Sequence, residues 1–288
     1  MLTPDELRQI RRLRALLARR VDSPFAGEYR SAMRGQGMEF EESRPLVVGD
    51  DVRSIDWNVM ARTGEPFVKT FREERELTLL LVMDLSGSVR LGGGGADGRT
   101  DKRLQGARVA GALAFAAIRN GDRVGVLSFT EQVERFLPPR KSRGHAWAVL
   151  RAAFEPPPAR RGTDLARALQ RARDVLARRA VVCVVSDFLG PDAYEAPLRQ
   201  LCARHRVHAF VVHDPLEAAL PAVGLVEVED AETGARRLVD SGRTWARVSV
   251  EQRAADLARL GARVSAVSTA EDPFLRLGRH FRAEERRR

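Results

Sequence analysis

The sequence predicts an α/β fold: an open, mostly parallel sheet flanked by helices on both faces, with a small N-terminal subdomain ahead of it. Two runs are apolar at nearly every position, TLLLVMD at 78–84 and AVVCVV within 180–187, as strands buried on both faces must be. Helical patterns separate such runs, and that alternation is the mark of a parallel sheet with crossover helices. With 288 residues, 44% of them apolar, the chain is long enough for one large or two modest domains. We divide it into an N-terminal helix plus irregular or β subdomain (1–76), an α/β domain (77–270) and a basic C-terminal helix or tail (271–288).

In chain order, residues 1–20 read as a helix, with Thr3 as N-cap, Pro4 at its first position and Leu7, Ile10, Leu13 and Leu17 on one face. From 21 to 66 the periodicity fades and Gly, Ser and acidic residues accumulate, so this stretch reads as irregular or short-stranded. EPFVKTFREE, from Glu65, is strand-like and runs almost directly into 78–84. Residues 103–120 are helical and stop at Gly121; RVGVLSF (123–129) is a strand, and EQVERFLP (131–138) alternates as an edge strand does. Helices at 145–154 and 164–179 flank the loop PPPARRG, and the strand at 180–187 follows. A helix at 194–205, a strand at 206–214 and a hairpin turning at Thr233-Gly234 come next. A helix at 243–260, the strand ARVSAVS and a short helix complete the pattern, without internal repeats.

Composition excludes a disulfide miniature and a disordered tail. The net charge is +10, which points first to nucleic acid or an anionic membrane surface. The cations are 46 Arg and only 3 Lys, however, so part of this is composition bias. The excess is also local: residues 140–179 hold eleven basic and three acidic side chains, while residues 1–76 are neutral overall. No apolar leader opens the chain, and the longest apolar run, at 109–118, is ten residues, short of the roughly 18 that span a bilayer. Cys183 and Cys202 lack CxxC spacing and read as core thiols of a reducing compartment, so the expected location is cytoplasmic.

Three loops carry candidate chemistry. D-L-S-G-S at 84–88 follows a buried strand and offers Asp84, Ser86 and Ser88 as oxygen donors in one turn, the donor type hard divalent cations take. Taken alone, it is also an ordinary turn. Thr163 stands before a helix, where N-capping is the plain role, and Asp187 ends the second doubly buried strand. Ligands of open α/β sheets bind beyond the carboxyl ends of the strands, so Asp84 and Asp187 are expected to face one site.

This DxSxS…Thr…Asp order resembles the metal-ion-dependent adhesion site of the von Willebrand factor type A fold. The resemblance implies a Rossmann-like sheet and a Mg²⁺ ion, with Mn²⁺ or Ca²⁺ as alternatives. It assigns the ion to Asp84, Ser86, Ser88, Thr163 and Asp187, with a coordination position left for an acidic group of a partner. Upstream, Gly35, Gly37, Glu39, Phe40, Arg44, Gly49, Asp50, Asp51, Arg53, Ile55, Asp56, Trp57, Ala61 and Arg62 are similar to the bacterial domain-of-unknown-function family fifty-eight. Members are usually encoded beside a MoxR-type AAA+ ATPase, which that resemblance implies as partner. The residues themselves suggest a structural role for Asp50, Asp51 and Asp56: capping turns, or pairing with Arg53 or Arg62, while Trp57 packs the subdomain on the sheet.

Three other patterns are set aside. GGGADGRT at 93–100 approximates a phosphate-binding loop, but it has Arg99 where Lys belongs and starts well past the strand end. His205, His208 and His213 lack a partner Cys or acidic residue at metal-ligand spacing. No Ser-His-Asp pattern supports a hydrolase. The expectation is therefore a non-enzymatic, metal-dependent protein-binding module, an adaptor for a MoxR-type ATPase or an acidic client. Arg160 and Arg161 beside Thr163 would contact the partner, and no nucleic acid is expected. The alternative is a nucleic-acid or anionic-surface binder using 140–179 and the Arg-rich tail, whose aromatic content there, Trp147 and Phe154, is poor for base stacking.

Overall fold

The Gly-, Ser- and acid-rich stretch near the N-terminus pairs two of its segments as antiparallel strands. In a computed structural model, strand β1 (Met38–Pro45) pairs antiparallel with β2 (Phe67–Glu73), with a bulge between Phe40 and Glu42. The seven-residue helix α1 (Trp57–Thr63) lies between them in sequence and ends at Gly64, whose φ of 77° suits a residue without Cβ. These elements belong to one compact unit, residues 33–77, and the remainder of the chain forms the other. The structure describes residues 29, 38–73, 77–91, 100–156, 158–190, 192–217, 223–242 and 249–287. The expected helix at 1–20, Gly35, Gly37 and the Gly-rich loop through Arg99 lie outside these, as does 243–248 of the expected helix at 243–260.

In the larger unit, β3 (Thr78–Asp84) is followed by helix α2 (Lys102–Asn120), strands β4 (Arg123–Phe129) and β5 (Val133–Arg140), and helices α3 (Arg143–Ala153) and α4 (Leu165–Val175). Then come β6 (Val181–Ser186), α5 (Glu195–Arg204), β7 (Arg206–His213), the hairpin β8 (Leu225–Glu229) and β9 (Arg236–Asp240), α6 (Val250–Arg259), β10 (Arg263–Ser268) and α7 (Pro273–Arg286). The six-stranded sheet has the order β10-β7-β6-β3-β4-β5. Every neighbouring pair is parallel except β4 and β5. This is the open, mostly parallel sheet the sequence predicts, with its antiparallel strand at the edge. β8 and β9 form a separate two-stranded sheet.

Alternation along the strands divides the core. Leu80, Val82, Val182, Val184, Ala209 and Val211 face Leu165, Leu169, Leu198, Leu201 and Leu257 of α4, α5 and α6. On the other face α2 approaches closely: a Cβ on Gly106 would come within 3.2 Å of Val185 Cγ1. α7 covers the same face near β7, with Phe281 stacked edge-on to Tyr29 at 5.6 Å between ring centres. Among the described residues, no helix is long and apolar enough to cross a membrane.

Candidate metal centre

Strand ends and the turns after them build the site. The chain leaves β3 toward β4 on one side and returns to β6 on the other, so a crevice opens where the strand order reverses. The register pairs Met83 with Val185, which sets Asp84 level with Ser186. Ser186 Oγ donates to Asp84 Oδ2 at 2.6 Å, and the Ser86 amide donates to Asp84 Oδ1 at 2.9 Å. The hydroxyls of Ser86 and Ser88 stand 3.2 Å apart. Asp187 follows β6 directly, and Phe188 after it has a φ of 54°, a strained conformation for a bulky residue. Its ring is buried against Tyr194, and its amide donates to Ser186 Oγ at 3.0 Å, so packing and hydrogen bonding hold the turn.

The third loop is laced to the first: Gly87 N donates to Arg161 O at 2.7 Å. The N-cap of α4 is Asp164, which accepts from Arg167 N at 2.8 Å. Thr163 is therefore not the cap, and its hydroxyl donates instead to Glu232 Oε1 at 2.6 Å. Asp84, Ser86, Ser88, Thr163 and Asp187 thus share one end of the sheet.

Four charged residues that sequence reasoning did not single out complete the surroundings. Lys102, at the start of α2 and almost fully buried, donates to Asp187 Oδ2 at 2.7 Å and to Glu217. Arg253 of α6 donates to the Asp187 carbonyl at 2.5 Å and lies 3.7 Å from Glu217 Oε2. Lys102 and Arg253 thereby balance Asp187 and Glu217. Asp84 is left without a cation of its own among the described residues: burial, then the charge of Asp187, push its carboxyl up to about 6, against the opposing hydrogen bonds of Ser186 and Ser86. The fourth is Glu232. The only sequence signal for this group is faint, since Lys102 is one of 3 lysines in an Arg-biased chain.

The residues fit a hard divalent cation. All the converging donors are hydroxyl or carboxylate oxygens, and the charge left over on Asp84 is what such an ion would offset. The remaining sequence expectations are partly corrected. Arg160 lies 3.4 Å from Glu131, and Arg161 pairs with Glu229 at 2.9 Å, so both guanidinium groups already meet carboxylates of this chain. In the smaller unit, Asp50 pairs with Arg44, not with Arg53 or Arg62; the two bonds, 2.6 and 2.8 Å, hold its carboxyl down to about 2. Asp51 caps the short turn Val52–Ser54 by accepting from Arg53 N, and Asp56 caps α1 while accepting from Ser43 Oγ at 2.8 Å. Arg62 donates to the Asn58 carbonyl, and Gly49 takes a φ of 106° in the preceding turn. Trp57 is 64% exposed and not packed away, because it opens a helix that has no buried residue. His205 meets the Ala180 amide, and His208 meets His280 in the core. Among the described residues no three His, Cys, Asp or Glu side chains are grouped to hold a metal ion, so an ion beside Asp84 would depend on the hydroxyls of Ser86, Ser88 and Thr163 as well.

A family model described as "Protein of unknown function DUF58" matches residues 42–259. An uncharacterized protein of Mycobacterium tuberculosis is 36% identical over 230 residues, covering 79% of this chain and 71% of that protein. A Paracoccus denitrificans protein described as lying in the moxR 3′ region is 37% identical over 76 residues, 26% of this chain and 72% of its own. Among solved structures, an aerotolerance-related membrane protein from Bacteroides fragilis aligns over 74% of this chain and all of its own, at TM-score 0.52 and 15% identity, a likeness of fold. A von Willebrand factor type A protein from Catenulispora acidiphila aligns over 75% of this chain and 43% of its own, at TM-score 0.41 and 14% identity.

Proposed function

Because the chain belongs to family DUF58, as the match over residues 42–259 shows, we propose that it is a non-enzymatic module that holds a divalent cation and uses it to bind an acidic group of another protein. The partner in this reading is a MoxR-type AAA+ ATPase or an acidic client that such an ATPase remodels. The moxR-adjacent relative in Paracoccus denitrificans supports that choice.

The observation that carries the reading is the convergence of Asp84, Ser86, Ser88, Thr163 and Asp187 on one end of the sheet, with uncompensated charge on Asp84. Mg²⁺ is the ion of choice, with Mn²⁺ and Ca²⁺ as alternatives to be compared. Bound there, it would supply a positive centre that attracts a carboxylate. The hydroxyls of Ser86 and Ser88 face each other with no imidazole among the described residues hydrogen-bonded to either, which favours binding over nucleophilic chemistry.

Affinity purification from the native cell tests this. The wild-type chain should retain its partner in Mg²⁺ and release it in EDTA, and Asp84→Ala should fail to retain it in either. A variant that co-purifies with the same partner in EDTA as well as the wild type does in Mg²⁺ would sink the metal-bridge reading.

A further inference from the structure

We propose that Glu232, at the tip of the β8–β9 hairpin, is the cation site's own carboxylate ligand, and that the hairpin is a latch an acidic partner must displace. The proposal rests on the cation-dependent reading above and adds the regulation of that site.

Four observations support it. First, Thr163 Oγ1 donates to Glu232 Oε1 at 2.6 Å. The hydroxyl's lone pairs stay available to a cation, and the carboxylate lies at about the separation of neighbouring oxygens in a Mg²⁺ shell, roughly 2.9 Å for bonds of 2.0–2.1 Å at right angles. Second, the tip is built to present Glu232. Asp230 Oδ1 accepts from the amides of Glu232 and Thr233 and from the Thr233 hydroxyl, and Gly234 takes a φ of 72° to close the turn.

Third, the tip rests directly on the DxSxS loop. A Cβ on Gly87 would lie 2.0 Å from the Ala231 carbonyl oxygen, so only glycine permits this approach. Arg161, whose carbonyl accepts from Gly87 N, also pairs with Glu229 at the foot of the same turn. Fourth, the rest of the hairpin is loosely seated. Behind it is a cavity of about 510 Å³ lined in part by Leu91, Leu216, Val228 and Val239. Leu225 and Leu238 are 74% and 73% exposed. Its inner face, Val226, Val228 and Val239, is only half-buried, and a two-stranded hairpin is marginal on its own, so contacts at the tip add to what holds it against the domain.

The chain thus carries, on a weakly anchored arm, the same chemical group that the proposed partner would present. A carboxylate supplied by the chain itself acts at high effective concentration and keeps low-affinity acidic ligands out. A partner gains access when its own contacts outweigh those of the tip.

The test uses the full chain as wild type, Glu232→Gln, Glu232→Ala and Asp84→Ala. Mn²⁺ is titrated into each, hydrogen exchange is followed over 225–240 with and without cation, and a labelled Glu-rich decapeptide is bound in saturating Mg²⁺. The wild type should bind Mn²⁺ and gain protection in the hairpin. Both Glu232 variants should bind Mn²⁺ about tenfold more weakly, lose the cation-dependent protection, and bind the decapeptide at least fivefold more tightly than the wild type. If the wild type binds Mn²⁺ and Asp84→Ala does not, but the Glu232 variants match the wild type in all three measurements, the latch is overturned while the metal site stands. If the wild type binds no Mn²⁺, both ideas fall.

Discussion

Lys102 shows how much one side chain can decide. It is 1% exposed and bridges Asp187 and Glu217, two carboxylates that arrive from positions 85 and 115 residues further along the chain. Removing the ammonium while both carboxylates remain leaves an uncompensated buried charge, a change that typically costs about 3–5 kcal/mol. Lys102→Met should therefore lose stability of that order in a urea titration run in EDTA. A loss below about 1 kcal/mol would mean that the ammonium is not what balances the pair. The same residue marks the limit of what the sequence discloses. That Asp84 and Asp187 share one end of the sheet is legible from the two doubly buried strands they end, and Ser86, Ser88 and Thr163 join them only through the resemblance of the DxSxS…Thr…Asp order. Lys102, Glu217, Arg253 and Glu232 were not, because charged residues make up 31% of the chain and which of them meet depends on tertiary approach. The plain alternative for Thr163, a helix cap, fails for a similar reason: Thr and Asp both cap helices, and only the backbone decides that Asp164 does so here.

Elements were easier to read when burial was complete. β3 and β6 announce themselves by apolar residues on both faces, whereas β1 and β2 mix apolar residues such as Phe67 and Val68 with polar ones and carry no continuous apolar run. Helix ends were harder. Arg and Ala continue the helical pattern of α4 to position 179, yet the helix stops at Val175 because Ala180 must turn to meet the His205 ring and the Arg206 amide before β6 begins. The packing of α7 on β7 leads to a pH prediction. His208 and His280 lie ring nitrogen to ring nitrogen at 2.8 Å. Burial, then the charges of Arg276, Arg263 and Arg287, push His280 down to about 4; burial, then His280, Arg263 and Arg206, push His208 down as well. An unfolded chain takes up these protons near pH 6.5, while the folded one resists. Stability from this pair is thus complete above about pH 6.5 and falls as the pH drops toward 4, by about 1.4 kcal/mol per pH unit for each histidine. Urea midpoints at pH 7.5, 6 and 5 measure it, and His280→Gln should remove one histidine's share of the slope. An unchanged slope in that variant would refute the assignment.

For the molecule as a whole, the +10 charge is the property most open to misreading. Polyanion binding needs cations free to replace counterions, and it weakens steeply with salt. Within the excess at 140–179, however, Arg160, Arg161 and Arg173 meet Glu131, Glu229 and Asp174. Arg171 lies over the Phe136 ring at 5.6 Å. Paired and stacked in this way, these four of the eleven cations are less free to track phosphates, yet the field of the stretch still extends about a Debye length, roughly 8 Å at physiological salt. Such a field steers an acidic partner without forming the final contact, so it should govern the rate of association more than the rate of release. With the Glu-rich decapeptide on Glu232→Gln in Mg²⁺, raising salt from 20 to 300 mM should slow association severalfold and leave dissociation within about twofold. EDTA should abolish binding at every salt concentration. The polyanion reading requires the reverse: binding indifferent to chelator, with affinity for duplex DNA falling by orders of magnitude over the same salt range. That outcome would assign the charge to nucleic acid, and the cation at Asp84 would then have no part in recognition.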